Sequence, residues 1–250
     1  MKSTIVKLLS LTCAAALLAP AALQAAKDPV SPQALASLKR MSDSLAAAKA
    51  FTYTSRTISE VPAKNGQFLT LFSTADVALK RPDKLRAHLT GEAPHFDFYY
   101  DGVTAAAFSP ANKVYSLSKA PATIDAMLPA LEKETGIRMA AAGLLSSNPY
   151  AVLTRGLTSG LAVGSTPVNG TPCEHLAFRG DGVNWEIWIE SGTRALPLRL
   201  AVTFTDRTNL PRVIVEFSDW SLRPSLRPSD FIFHPPAGSR EIPFLSVVKP

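Results

Sequence analysis

The chain carries two hydrophobic periodicities, and they divide it into helical and strand segments. Four apolar residues at spacings of three, three and four predict a first helix with one apolar face: Leu35, Leu38, Met41 and Leu45. Ser31 suits the N-cap of this helix, and Pro32 suits its first position. After residue 50 apolar and polar residues alternate with period two, which is typical of strands.

The alternating segments fall into two groups, one from residue 51 to 117 and one from about residue 161 to 217. The turns between them contain Gly, Asn, Asp and Pro, which favour tight reversals of the chain. We expect these turns at residues 62–66, 81–83, 101–102, 110–113, 168–172 and 180–182. The strands are therefore expected to pair as antiparallel hairpins, and the last ordered stretch is expected at residues 231–233.

Between the two groups, residues 121–155 form an insert rich in Ala, Leu and Met that lacks the strand pattern. Its apolar residues have helical spacing: Ile124, Met127, Leu128 and Leu131. Gly136 is expected to end this helix, and Pro129 is expected to kink or split it. Shorter helical pieces are expected over residues 140–145 and 150–154, so the whole insert should pack its apolar side on the sheet.

The N-terminus has the three-part layout of a secretory signal. Lys2 and Lys7 precede an apolar stretch over residues 8–18, and small residues follow it up to a cleavage site after Ala25, with Ala26 as the second choice. The apolar stretch is about half the roughly 20 residues that a membrane-spanning helix needs, which argues against a retained anchor. We therefore expect residues 1–25 to be removed and residues 26–250 to form a single domain in the periplasm.

The cysteines and the charge distribution argue against a lipid-anchored or nucleic-acid-binding protein. Cys13 follows Ser10 and Thr12 rather than the residues of a lipoprotein signal, so it is interpreted as part of the removed segment. Cys173 then remains alone, either buried and inert or available to another molecule, and burial is the commoner outcome. The formal net charge is +6, but the basic residues are scattered, which argues against nucleic-acid binding.

Motifs of enzymes and metal sites are missing from the sequence. Cys173 and His175 share one face of a strand, but third and fourth metal ligands are missing nearby. Asp97 and Asp101 flank aromatic residues, where a strand or turn role is favoured over an acid–base pair. The sequence contains no nucleophile elbow, P-loop or dinucleotide-binding glycine pattern. We therefore expect no catalytic residue, no metal and no cofactor.

Several strands carry apolar side chains on both faces, so one face requires a further cover or a ligand. Trp188 and Trp220 lie on the otherwise polar faces of their strands, where each either lines a binding cleft or covers a loop. Together with Met127 and Leu131 of the insert, they are the candidate ligand-binding residues.

Segments in the same order along most of the chain resemble the predicted periplasmic proteins of domain-of-unknown-function family 2092. They are residues 81–86 (RPDKLR), 99–103 (YYDGV), 121–125 (PATID), 168–178 (VNGTPCEHLAF), 185–190 (WEIWIE), 196–200 (LPLRL) and 218–220 (SDW). Residues 230–238 (DFIFHPPAG) also resemble the closing strand and turn of lipoprotein carriers of the LolA/LolB type.

The resemblance implies an α+β fold, mostly antiparallel, in which helices cover the concave face of a curved, half-barrel sheet. In the carriers an apolar cavity holds lipoprotein acyl chains, and an arginine inside it latches the lid; no arginine of this chain can be matched to that role. We expect a monomeric, non-enzymatic periplasmic protein that binds a lipid, an acyl chain or a lipoprotein in the cavity. The alternative is an interaction or sensor module that contacts a partner protein.

Overall fold

The computed structural model describes residues 30–92, 95–136 and 138–243, and the expected signal segment, residues 1–25, lies outside them. The helices are α1 (Pro32–Ala47), α2 (Ile124–Thr135), α3 (Ala142–Leu145) and α4 (Pro149–Leu153), with a 3₁₀ helix at Pro228–Phe231. The strands of the first half are β1 (Ala50–Pro62), β2 (Phe68–Lys80), β3 (Lys84–Gly91), β4 (Phe96–Tyr100), β5 (Thr104–Ser109) and β6 (Val114–Lys119). Those of the second half are β7 (Leu157–Val168), β8 (Thr171–Gly180), β9 (Val183–Glu190), β10 (Pro197–Phe204), β11 (Arg212–Ser221) and β12 (Arg240–Glu241).

The strands form one sheet in the order β12-β6-β5-β4-β3-β2-β1-β11-β10-β9-β8-β7. Every pair is antiparallel except β12 with β6. The two groups of hairpins join at the centre, where β1 pairs with β11. The expected fold class, mostly antiparallel strands in one large curved sheet with few helices, is confirmed.

The insert covers one face of the sheet because of where it begins and ends. It leaves β6 near one edge of the sheet and enters β7 at the other edge, so helices α2, α3 and α4 cross between the two edges. We call the face they cover the inner face. None of the helices in the described residues combines the length and the apolar character that a membrane crossing requires.

Local signals in the sequence set the helix ends. Ser31 caps α1, its hydroxyl accepting the Ala34 amide at 3.5 Å. Gly136 ends α2 in the left-handed region at φ 71°, and its amide donates to the Glu132 carbonyl oxygen at 2.8 Å. Pro129 does not split α2, which continues through it.

The main core lies between the inner face and the helices. Three of the four residues expected to form the apolar stripe of α1 are fully buried there, Leu38, Met41 and Leu45, whereas Leu35 is half-buried. A smaller cluster lies on the outer face and contains Val168, Cys173, Trp188 and Ala201.

The C-terminal segment packs on the outer face of β2 to β6, and the ordered stretch expected at residues 231–233 is not a strand. Phe231 ends the 3₁₀ helix and is fully buried. The Phe233 ring packs on an aromatic cluster at centroid distances of 5.6 Å from Tyr99, 5.7 Å from Phe108 and 5.4 Å from Tyr115. Aromatic burial thus holds this segment, and strand pairing resumes only at β12.

Candidate functional site

Strands β1 to β4 carry charged side chains on only one of their two faces. The side chains of cross-strand pairs such as Phe51–Leu79 and Tyr53–Val77 point inward and belong to the main core. All Arg, Lys, Asp, Glu and His side chains of these strands alternate with them and therefore point outward: Arg56, Glu60, Asp76, Lys80, Lys84, Arg86, His88 and Asp97. The inner face of β1 to β4 carries only apolar, hydroxyl, phenol and glycine positions.

The inner face of β2 passes from fully covered to open along the strand. Leu79 is 0% exposed and Val77 is 8% exposed, whereas Leu69 near the β1–β2 turn is 44% exposed. Ala75 and Leu71 between them are half-buried. The helices therefore cover one end of these strands and leave the other end accessible. We call the accessible part the open groove: the inward side chains of residues 57–61, 69–75 and 87–89, with Phe96.

Arg81 joins the helices to the covered end of the sheet. Its Nη1 donates to the Leu145 carbonyl oxygen of α3 at 3.0 Å, and its Nη2 donates to the Leu45 carbonyl oxygen of α1 at 3.4 Å. The guanidinium carbon lies 5.8 Å from the centre of the Phe51 ring. Burial lowers the pKa of Arg81, and the nearby Asp125 carboxylate opposes this effect.

Two tyrosines on the inner face remain neutral. Burial, with the Asp83 and Asp101 carboxylates nearby, raises the pKa of Tyr100 to about 12. Its hydroxyl donates to the Pro121 carbonyl oxygen at the start of the insert. Burial alone raises the pKa of Tyr53. Neither side chain therefore brings a charge to this face at neutral pH.

The structure places three of the four candidate residues on the inner side. Met127 lies on the buried side of α2 and is 1% exposed, and Leu131 of the same helix is half-buried against the main core. Trp220 is half-buried, with its ring centroid 4.6 Å from that of Tyr53 and its Nε1 donating to the Pro197 carbonyl oxygen at 3.0 Å.

Trp188 lies on the outer face instead. Its ring stacks on the His175 ring at 4.0 Å and lies 5.5 Å below the Arg199 guanidinium carbon. The accessible residues of the open groove, such as Leu69 and Leu71, were not among the sequence candidates. Every second residue of β2 from Leu69 to Leu79 is uncharged, and this pattern is the sequence signal from which the groove residues could be predicted.

Two further cavities are found among the described residues, and the second of them shares Ser73 with the open groove. One of about 400 Å³ lies between α2, α3 and α4, where Leu128, Met139, Val152 and Arg155 are among its walls. The other, of about 580 Å³, is open to solvent at the β2–β3 pairing, where Arg56, Ser73, Thr74 and Gly91 are among its walls.

The remaining polar candidates have structural partners. Asp101 accepts the amides of Val103 and Thr104 at 3.0 and 2.8 Å, which is a turn role. Cys173 is fully buried, its Sγ donates to the Thr171 carbonyl oxygen at 3.3 Å, and burial raises its pKa. Within residues 30–92, 95–136 and 138–243, His, Cys, Asp and Glu side chains form no group of three or more that could hold a metal ion.

Comparison with known protein families shows which family the chain belongs to. The model of the family described as predicted periplasmic protein (DUF2092) matches residues 34–245. The chain belongs to this family. The family description confirms the periplasmic localisation expected from the sequence. No curated protein matches this DUF2092 protein.

Solved structures similar to the DUF2092 protein share little sequence with it. Lipoprotein LppX of Mycobacterium tuberculosis has a TM-score of 0.48 and 14% identity, covering 76% of this chain and 95% of that one. A LolA superfamily protein of Nitrosomonas europaea has a TM-score of 0.39 and 11% identity, covering 80% and 97%. The MucA/MucB complex of Pseudomonas aeruginosa has a TM-score of 0.39 and 17% identity, covering 76% and 56%. These values are too low to transfer a ligand or a partner.

Proposed function

We propose that this DUF2092 protein binds the acyl chain of a lipid or of a lipidated protein along the open groove, without catalysing a reaction. One observation carries the proposal: the charged side chains of β1 to β4 all point outward, while apolar side chains of the inner face remain accessible near the β1–β2 turn. A strand face that only contacts water has no need to exclude charge from every inward position.

The physical chemistry of the open groove suits a flexible apolar chain. Each methylene group removed from water contributes about 0.8 kcal/mol, so a chain of several methylenes gains enough to offset the ordering of the ligand. Leu69, Leu71 and Leu89 supply accessible apolar surface, and the half-buried Phe96 joins it to the main core.

A second candidate function, contact with a partner protein, is favoured by the outward side of the same hairpin. Phe68 and Phe72 point outward there and are 44% and 43% exposed. Exposed aromatic residues of this kind are typical of protein interfaces. Recovery of a stoichiometric protein partner that is lost in Phe68→Ser, from a protein carrying no lipid, supports this second function instead.

Displacement of a fluorescent acyl-chain probe tests the first proposal. Leu71→Asp places a carboxylate in the open groove and is expected to weaken probe binding roughly tenfold or more, because the groove offers it no cation. Thr74→Asp on the outward side of the same strand is the matched control and is expected to bind like the wild type. Equal binding by both variants, or no binding by the wild type, contradicts the proposal.

A further inference from the structure

The open groove contains hydroxyl groups that make no hydrogen bond with any other described residue. Thr57 and Ser73 are direct cross-strand neighbours, and Ser59 lies two residues farther along β1 on the same face. All three are half-buried, and none of their side-chain oxygens makes a hydrogen bond within the part of the chain that the structure describes. Ser55 differs, because it is buried and its hydroxyl donates to the Ala75 carbonyl oxygen at 3.5 Å.

Apolar residues flank these three hydroxyls on both sides. On the β11 side, Thr57 pairs with Val215 and Ser59 pairs with Val213. On the β2 side, Ser59 pairs with Leu71. The hydroxyls therefore form a short polar stripe, Thr57–Ser59–Ser73, within an otherwise apolar groove.

The chemistry of this stripe discriminates between ligand head groups. A hydroxyl can donate a hydrogen bond to an uncharged carbonyl oxygen, which gives a net gain when the acceptor has left water. A carboxylate in the same place has to lose its hydration with no cation to replace it, because Arg56, Lys80, Lys84 and Arg86 all lie on the other face.

We propose that the polar stripe makes the open groove selective for uncharged acyl esters over ionised fatty acids, with the Thr57, Ser59 and Ser73 hydroxyls donating to the ester oxygens. The selectivity rests on the proposed function, since it assigns the ligand class of the same groove. It differs from plain apolar binding in that an ester is preferred to a hydrocarbon of the same length.

Competition against a neutral fluorescent acyl probe at neutral pH tests the selectivity, with methyl laurate, laurate and dodecane as competitors. The wild type is expected to bind methyl laurate most tightly, and laurate, which is ionised at this pH, most weakly. The double variant Thr57→Val with Ser73→Ala is expected to lose roughly three- to tenfold in affinity for methyl laurate for each hydrogen bond removed, with dodecane binding unchanged.

Two further variants complete the design. Thr74→Val removes an outward hydroxyl next to Ser73 and is expected to leave the order of the three competitors unchanged. Ser73→Lys places a cation in the stripe and is expected to raise the affinity for laurate above that for methyl laurate. Where the double variant does not fold, Ser59→Ala replaces it, with the same expected direction for methyl laurate.

The outcomes separate this inference from the proposed function. Binding of all three competitors with equal affinity by the wild type overturns the ester selectivity and leaves acyl-chain binding supported. A double variant that keeps the wild-type preference for methyl laurate over dodecane also overturns it. A wild type that binds neither the probe nor any competitor overturns both.

Discussion

The Phe217 and Trp220 rings lie on the same face of β11, with 5.9 Å between their centroids, although they are three positions apart. An odd separation in a regular strand places two side chains on opposite faces. The alternation is reset at Asp219, whose φ is 55°, where the pairing of β11 with β1 also shifts register. Trp220 therefore joins Phe51 and Tyr53 at the covered end of the inner face.

Replacement of Asp219 tests this reset. Asp219→Val puts a β-branched residue at a positive φ and is expected to lower the free energy of unfolding by about 1–3 kcal/mol. Asp219→Gly is the matched control, because it also loses the hydrogen bond from the Ser218 hydroxyl but tolerates the backbone conformation. Urea unfolding followed by tryptophan fluorescence measures both variants, and equal stabilities contradict the interpretation.

The Arg81 side chain is expected to hold α3 against the sheet. Arg81→Gln leaves the carbonyl oxygens of Leu45 and Leu145 without their donor, so the free energy of unfolding is expected to fall by about 1–3 kcal/mol. Hydrogen exchange of the α3 amides is expected to become faster as well. Arg56→Gln, on the exposed outer face, is the control for loss of a positive charge, and unchanged α3 exchange in the Arg81 variant refutes the role.

Alkaline pH is expected to destabilise the protein through Tyr100. The folded state holds the phenolic proton more tightly than the unfolded chain does, because the pKa rises from 10.0 to about 12 on folding. The stabilisation is therefore complete below pH about 10 and is lost as the pH rises toward 12. Urea unfolding across this range is expected to show a shallower loss of stability in Tyr100→Phe. The same slope in both proteins contradicts the effect.

Cys173 is expected to be unreactive in folded protein that is expressed from residue 26 onward, so that Cys13 is absent. The thiol is fully buried and its pKa is raised, so little thiolate is accessible to a reagent. A colorimetric thiol reagent is expected to label the protein quickly in urea and far more slowly under native conditions. Rapid native labelling, or a disulfide-linked dimer on a non-reducing gel, refutes the expected burial.

The alternation of apolar and polar residues predicts the hairpins, but it does not predict the face on which Trp220 lies or the position of Phe233. The turns expected at residues 101–102 and 110–113 lie between β4 and β5 and between β5 and β6, as the strand pairing requires. The face of Trp220 was unpredictable because a single backbone angle at Asp219 resets the alternation. Phe233 has the local pattern of a strand, but its position depends on aromatic residues more than a hundred positions away.

The open groove was harder to predict than the fold for a related reason. The strand pattern shows that β2 has two largely uncharged faces, but it does not show which one the insert covers or where the cover stops. The connection from β6 to β7, across the width of the sheet, decides both. The helical spacing predicts that Met127 lies on the apolar side of α2. Its complete burial depends on the path of the insert across the sheet, which the spacing does not show.

Photo-crosslinking with a neutral acyl ester that carries a diazirine on its chain tests the central claim most directly. Peptide mapping is expected to find the label on residues 57–61, 69–75 and 87–89, and to find it reduced in Leu71→Asp but not in Thr74→Asp. Labelling confined to the outer face or to the cavity between α2, α3 and α4, or equal labelling of the two variants, contradicts acyl-chain binding in the open groove.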